Sequence, residues 1–535
     1  EKISNLYSDC NCTTPGICKK NLENLEEEIL EVLEENFEIS NTYLDNKKIY
    51  NLLETGIEEI DYIISKLEKE EIIGEDPTKY WERNKVVCKL NILNQNLKIS
   101  TAKIEVGNNE LEDFKIHIED LLKLKVIRRS TSPHRSAAFI VRNHAEIVRG
   151  KSRMVINYKR LNDNTDVDGY DIPDKSQLIN RIQEAKIFSK FDCKSGFWQV
   201  KMHPDSIKWT AFTCPLGHFE WLAMPFGLKN APSIFQRKMD DIFLKYATFV
   251  IVYIDDILVF SKTKKEHISH LKIVLAEFLK NGIIISSKKA QFFRTNIEFL
   301  GSEIGNGRIK LQPHISKKVL EFPNKIEETK KLQAFLGLLN YARGYIKDLA
   351  QIVGPLYSKT SLKGQKFFNK EDEKIVMHIK EIIKTLPDFK LPLDSDYLIL
   401  ETDGCDKGWG AVLKCKPSKY SEKKLEQICR FGSGTYREKG NISSIDSELL
   451  AVIYSLESFR LFLISKKEFT IRTDCEAIVK FNQKMLEKRS AQRRWLNFKD
   501  TVLNGNYNPV FEHIKNKDNK LADFLSRQVE ILLKN

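Results

Sequence analysis

At 535 residues the chain is long enough for roughly three or four domains of ~150 residues, each with its own core. With 41% hydrophobic, 30% charged and 10% aromatic residues it has the composition of a soluble globular protein, and no apolar run approaches the ~20 residues of a membrane span, so no membrane partner is expected. The net charge of +12 is unevenly spread: residues 1–76 hold 20 acidic against 7 basic side chains, a net of −13, which leaves +25 on the remaining 459. That surplus suits a phosphate-binding surface whose affinity falls with salt, although a lysine-rich solvated surface would count the same. Ten cysteines without a CxxC argue against a disulfide framework and for a reducing compartment. Cys10, Cys12 and Cys18 cluster without a histidine, as either a zinc site or free thiols. Glu1, not Met, opens the chain, so it is expected to have been cut from something larger, by a protease or by cloning.

In chain order, residues 21–35 place Leu22, Leu25, Ile29 and Val32 at helical spacing among seven glutamates, and a second amphipathic run follows at 48–70. These read as helices that either bind a partner or tether the body of the protein. From about residue 77 short β-like runs alternate with turns: "KVVCKLNIL", "AAFIVRN", "RMVINYKRLN", "KIFSKFD". Longer helical runs at 230–246 and 265–281 flank "FVIVYIDDILVFS", 249–261, where two carboxylates interrupt what would be a buried strand. An ionised carboxylate in an apolar setting costs several kcal/mol unless it is paired or coordinates a cation. A strand–turn–strand with Asp255 and Asp256 at its tip resolves the conflict. "EFLGSEIGNGRIKL", 298–311, reads as a hairpin around Gly305 and Gly307, and a helical region spans about 313–385. A separate α/β pattern begins near 392 with "YLILETDGCDKGWGAVLK", strand–turn–strand.

Two sets of carboxylates stand out. Asp192 follows the apolar approach "IFSKF"; if that run neighbours the Asp255–Asp256 hairpin, three carboxylates converge. This is what a pair of Mg²⁺ ions ~3.5–4 Å apart requires in order to activate a hydroxyl and stabilise a leaving oxyanion. Downstream, Asp403 ends "YLILETD", Glu448 lies in "SSIDSELLAVIYSLESF" with Ser and Asp at its start as helix caps, Asp474 ends "EFTIRTD", and Asp523 lies in "NKLADFLSR".

"YIDD" (253–256), "FDCKSGFWQV" (191–200) and "MPFGLKNAPSIFQRKMD" (224–240) together resemble reverse transcriptases, in the expected order and spacing. "YWERNKVVCKLNI", "RMVINYKRLND" and "KIFSKFDCKSGFWQVKMHPDSIKWTAF" are similar to the polymerases of plant pararetroviruses of the caulimovirus family, in its badnavirus and tungrovirus branch, with gypsy-type retrotransposons as near relatives. "TDGCDKGWGAVL", "SELLAV", "IRTDCEAI" and the ADFLSR segment resemble ribonuclease H. The resemblance covers about residues 61–535 and leaves 1–60 unplaced.

It implies an α+β right-hand polymerase of fingers, palm and thumb, followed by an α/β ribonuclease H-like domain with a mixed sheet. The expected layout is an acidic helical leader over 1–76, fingers and palm over 77–311, a thumb over 312–391 without a separate connection domain, and ribonuclease H over 392–535. Asp192, Asp255 and Asp256 match the polymerase metal triad, and Asp403, Glu448, Asp474 and Asp523 a second two-metal site that hydrolyses the RNA of an RNA–DNA hybrid. Mg²⁺ is the implied cofactor at each, with Mn²⁺ as a substitute. Phe197 matches the aromatic under the incoming sugar, where a ring clashes with a 2′-hydroxyl and selects deoxynucleotides. Arg153 matches a triphosphate-gripping arginine; Lys151 sits on the same stretch, and Tyr253 either touches the primer or packs. Phe226 stands where retroviral enzymes carry Gln, and Phe is typical of the caulimovirus and gypsy groups. His513 occupies the offset of a mobile histidine that assists product release or proton transfer. The 298–311 hairpin is similar to a primer grip or is an ordinary hairpin. Trp198, Trp209, Trp221 and Trp495 either face nucleic acid or pack in the core.

The implied partners are an RNA template, a DNA primer or RNA–DNA hybrid, deoxynucleoside triphosphates and an RNA primer such as a host tRNA, with monomer and dimer both open. The implied setting is the host-cell cytoplasm and the virus particle, after release from a polyprotein. A catalytically silent subunit of an asymmetric dimer is the competing reading, against which the presence of all seven carboxylates speaks.

Overall fold

The computed structural model describes residues 58–83, 85–101, 106–141, 152–346, 349–360, 367–405, 408–436, 443–464, 466–483, 498, 500–502 and 507–514. Cys10, Cys12, Cys18, the 21–35 run, Lys151, Trp495 and Asp523 lie outside them. The chain divides into two compact units, the first running to Pro173 and resuming over Ile187–Arg294, the second formed by Asp174–Lys186 with Thr295 onward.

In the first unit, α1 (Glu58–Lys69) carries Ile60, Ile63, Ile64 and Leu67 on one face, each 1% exposed. Burial of that kind contributes about 1.5–3 kcal/mol per side chain. The stretch read as leader therefore enters the core of the first unit from residue 58 onward: Ile72 and Ile73 follow it inside. The sheet behind the Asp255–Asp256 hairpin is built from β1 (Ile187–Asp192), then, after the buried helix α2 (Ala231–Phe243), β2 (Val250–Tyr253) and β3 (Asp256–Ser261). After α3 (Lys264–Asn281) the chain adds β4 (Gln291–Arg294), and the spatial order is β4-β1-β3-β2, antiparallel throughout. Helix α3 begins at a Thr263–Glu266 capping box and stops at Gly282, whose φ of 61° most side chains disfavour. Its Leu271, Val274, Leu275 and Phe278 share a core with α1 and with Phe191, Ile257 and Val259 of the sheet. A second sheet of five short strands runs in the order Ile127–Arg129, Gly217–Trp221, Phe212–Cys214, Ser136–Val141, Arg153–Ile156.

In the second unit a five-stranded mixed sheet has the order β7-β6-β5-β8-β9, where β5 is Tyr397–Gly404, β6 Gly408–Lys416, β7 Gln427–Thr435, β8 Phe469–Thr473 and β9 Pro509–His513. The first three pair antiparallel, while β8 runs parallel to β5 and β9 parallel to β8. Helix α4 (Ser444–Ser458) packs Leu449, Val452 and Leu456 against Leu398, Leu400 and Leu413 of that sheet. The hairpin expected over 298–311 is present, with Asn306 and Gly307 at φ 53° and 68°, the two positive values a type I′ turn needs. Helices follow at Pro313–Glu321, Thr329–Ala342, Leu349–Ile352, Gly354–Thr360 and Lys370–Lys384. Packing runs across both expected boundaries, at 311 and at 391. Phe389 belongs to a short strand paired with Arg308–Ile309, stacks on Tyr345 at 5.8 Å and meets Phe431 of β7 edge-on at 5.2 Å. One aromatic cluster thus joins the hairpin, the helices and the C-terminal sheet.

Candidate functional site

Asp192 is the last residue of β1 and Asp256 the first of β3, and the two are direct partners in the antiparallel register. Asp255 occupies the two-residue turn between β2 and β3, so the three carboxylates gather at one end of the sheet. The turn is strained: Ile254, β-branched, holds φ at 56°. Gln236 of α2 compensates, its Oε1 accepting from the Ile254 N–H at 2.7 Å while its Nε2 donates to the Val252 carbonyl at 3.3 Å and to Asp240 Oδ1 at 3.0 Å. The Asp255 carbonyl accepts from the Cys193 N–H at 3.0 Å, tying the turn back to β1. Lys289 pairs with Asp192 at 2.8 Å and Lys190 with Asp256 at 3.1 Å.

Asp255 carries the electrostatic tension. Burial, then the charges of Asp192 and Asp256, push its carboxyl up to about 7 against a smaller opposing effect of Lys289. Its Oδ1 is buried and has no hydrogen-bond partner among the described residues. A crowded acidic cluster with such an atom fits a bound cation, which would supply the missing partner and offset the repulsion. Gly196 explains how the cluster closes: a Cβ there would lie 2.2 Å from Asp255 Oδ1 and 2.9 Å from the Phe235 ring.

Beside this cluster, within the same unit, lies a cleft of about 1030 Å³ lined by Arg153, Lys194, Ser195, Trp198, Phe226 and Gly227 among others. The Arg153 side chain has no hydrogen-bond or ion-pair partner among the described residues. Phe197 is buried, with its ring 5.1 Å from Phe226 and 5.8 Å from Phe235; Phe226 is 42% exposed. Tyr253 is the cross-strand partner of Asp256. Trp209 and Trp221 are core residues, and Trp198 packs against that core.

The second constellation is on the other unit. Asp403 lies in β5, Glu448 in α4 and Asp474 just beyond β8; one carboxylate oxygen from each falls within 4.8 Å of the others. Such a set has the donor chemistry for a hard divalent cation. Ser443 caps α4 by accepting from the Asp446 N–H at 3.2 Å, and the Gly404 N–H donates to Glu448 Oε1 at 3.1 Å. A Cβ at Gly404 would lie 2.2 Å from the Ser447 carbonyl, so the glycine lets α4 approach the strand. His513, exposed at the end of β9, hydrogen-bonds through Nε2 to the Asp474 carbonyl at 3.1 Å. Sequence reasoning passed over Gln236, Gly196 and Lys289 and read Gly404 only as part of a turn, although Gln236, Gly196 and Gly404 stand inside quoted motifs; only the packing shows what they touch.

Two family models match the chain: reverse transcriptase (RNA-dependent DNA polymerase) over residues 141–304, and the RNase H-like domain found in reverse transcriptase over 394–499. The enzymatic polyprotein of cauliflower mosaic virus (strain Strasbourg) is 41% identical over 91% of this chain and 70% of its own length. That of figwort mosaic virus is 38% identical over 91% and 72%. Polyprotein P3 of Commelina yellow mottle virus is 45% identical over 88% of this chain, which spans only 25% of that longer protein. Among solved structures, the foamy viral protease–reverse transcriptase in complex with an RNA/DNA hybrid matches with a TM-score of 0.66 at 19% identity, over 95% of this chain and 65% of that one. The same protein in complex with double-stranded DNA matches at 0.65 and 20%, over 94% and 98%. At these identities the structural likeness carries the fold.

Proposed function

This chain belongs to the family of caulimovirus enzymatic polyproteins and contains its reverse transcriptase and ribonuclease H domains, and from that premise we propose that it copies viral pregenomic RNA into DNA and degrades the RNA strand of the resulting hybrid. The observation that carries the reading is the pairing of Asp192 with Asp256 across β1 and β3, with Asp255 buried between like charges.

In this reading Asp192, Asp255 and Asp256 hold the polymerase metal ions, and Asp403, Glu448 and Asp474, with Asp523 from the C-terminal segment, hold those of the nuclease. Bound Mg²⁺, or Mn²⁺ in its place, would supply the Lewis acidity that activates the 3′-hydroxyl or a water and stabilises the leaving oxygen. The chain's own groups do the positioning. Lys289 and Lys190 neutralise Asp192 and Asp256. Gln236 holds the strained turn so that Asp255 faces the cluster. Arg153 grips the triphosphate of the incoming nucleotide in the cleft, with Lys151 on the same stretch as a second cation. Phe197, held between Phe226 and Phe235, lies under the incoming sugar in this reading, where its ring would clash with a 2′-hydroxyl. Tyr253 packs beside the primer end, and His513 assists release at the nuclease site from its seat on Asp474.

The partners in this reading are an RNA template, a DNA or RNA primer such as a host tRNA, the RNA–DNA hybrid and deoxynucleoside triphosphates. The setting is the host-cell cytoplasm and virus particle, after release from the polyprotein. The test is Mg²⁺-dependent extension of a DNA primer on RNA together with release of short RNA fragments. Asp255→Asn is expected to abolish incorporation and spare hybrid cleavage, and Asp474→Asn the reverse. Incorporation that survives Asp255→Asn would sink the polymerase assignment; a wild-type protein inactive in both assays would favour the silent-subunit reading.

A further inference from the structure

The rim of the nucleotide cleft is not built from the matched polymerase region alone. Glu75 and Pro77, far upstream of residue 141, line it together with Lys194, Ser195 and Arg153. The chain delivers Glu75 there between two anchors. Before it, the Ile72 carbonyl accepts from the Ile285 N–H at 2.8 Å and the Gly74 N–H donates to the Ile285 carbonyl at 3.2 Å, with Ile72 and Ile73 buried. After it, Trp81 Nε1 donates to the Trp198 carbonyl at 2.7 Å. The Glu75 carboxylate forms an ion pair with Lys194, two residues beyond Asp192 and directly before Ser195, whose φ of 43° turns the backbone under the cleft. Lys288 adds a second positive field at Glu75. Arg153 and Lys123, the other cleft residues of fixed positive charge, have no ion-pair partner among the described residues.

We propose, on the basis of the polymerase reading above, that Glu75 is an anionic latch on the nucleotide cleft: its carboxylate is the resting partner of Lys194, and the triphosphate of the incoming nucleotide takes that lysine over by displacing it. The pair is suited to exchange. Glu75 keeps 66% of its side chain in solvent and Lys194 28%, and a pair of that kind is worth at most ~1 kcal/mol, or about fivefold in affinity. A ligand bearing several negative charges outcompetes one carboxylate, because it meets Lys194 and Arg153 together; a singly charged one does not. The latch therefore favours triphosphates over less charged nucleotides and anions.

The test measures KM and kcat for deoxynucleotide incorporation on a primed RNA template, with inhibition by inorganic pyrophosphate, at constant ionic strength. Glu75→Gln is expected to lower KM about two- to fivefold and to strengthen pyrophosphate inhibition by a similar factor, with the change in KM and not in kcat. Lys194→Gln is expected to raise KM about tenfold, and Glu75→Gln to have no further effect in that background. An unchanged KM in Glu75→Gln, or a gain that persists without Lys194, overturns the latch. So does a fall in kcat accompanied by a lower Tm, which would make Glu75 a structural residue. A wild-type protein that incorporates nothing removes the polymerase reading and the latch with it, whereas normal wild-type extension with an indifferent Glu75→Gln removes the latch alone.

Discussion

At the scale of single residues, each site depends on a glycine that follows its first aspartate. Gly196 lies four residues after Asp192 and Gly404 directly after Asp403, and at both a methyl group would fall 2.2 Å from an oxygen of the site. At Gly196 that oxygen belongs to the Asp255 carboxylate; at Gly404 it is the backbone of α4, which carries Glu448. Gly196→Ala is therefore expected to depress primer extension by about 100-fold or more while hybrid cleavage continues, since misplacement by ~1 Å costs on that order. Gly404→Ala should do the converse, and steady-state rates of the two reactions on one preparation check both. Gln236 makes a subtler contribution. Its amide satisfies the N–H of a half-buried residue in a disfavoured conformation, so Gln236→Leu leaves that N–H without its partner at a cost of about 1 kcal/mol. A lowered Tm together with a fall in kcat larger than any rise in KM is the expected signature.

At the scale of elements, the four-stranded sheet of the first unit is stitched to α3 by a buried polar relay. His267 lies between Ser189 of β1 at 2.7 Å and Ser261 of β3 at 2.8 Å; Ser261 also meets His270 at 2.8 Å, and Ser189 accepts from the Phe293 N–H of β4 at 3.1 Å. Burial, and then the proximity of His270, pull the His267 pKa down to about 3, so it is neutral in the folded protein. Because that folded value lies below the ordinary ~6.5, the relay's contribution is complete above pH ~6.5 and is lost as pH falls toward 3; at pH 4 the loss is roughly 3 kcal/mol. Chemical denaturation at pH 7 and pH 4 is expected to show this acid weakening, and His267→Gln to flatten it, with residual slope from His270, whose pKa burial also lowers. Helix α1 supplies the other elementary dependence. Leu67→Ala removes a side chain that is 1% exposed and is expected to cost about 2–5 kcal/mol in the polymerase unit, read as a lowered Tm.

At the scale of the whole molecule, two carboxylate clusters stand on two compact units, one cluster on each. In the proposed function, the surplus of +25 beyond residue 76 would serve backbone contacts to nucleic acid. Hybrid affinity, measured by titration between 50 and 200 mM salt, is expected to fall at least ~10-fold and to keep the same slope in Asp255→Asn, since phosphate contacts and not the catalytic carboxylates set it.

What was legible in the amino-acid order was what short range encodes. Alternation and spacing located Asp192, Asp255 and Asp256 at strand ends, and Asp403, Glu448 and Asp474 in separate elements, because a strand or helix writes its period into a few consecutive residues. The hairpin expected around Gly305 and Gly307 was legible in the same way, its turn falling at Asn306 and Gly307. What the order did not show was which distant groups complete each site. Gln236 reaches a turn 18 residues away, Lys289 an aspartate 97 away and Glu75 a lysine 119 away. None of these contacts has a period, and each depends on how closely two elements approach, which side-chain volumes across the core decide. The sequence by itself determined the family and which elements carry the acidic residues; the tertiary structure decided how their charges are balanced, because balance is a property of neighbours in space and not along the chain.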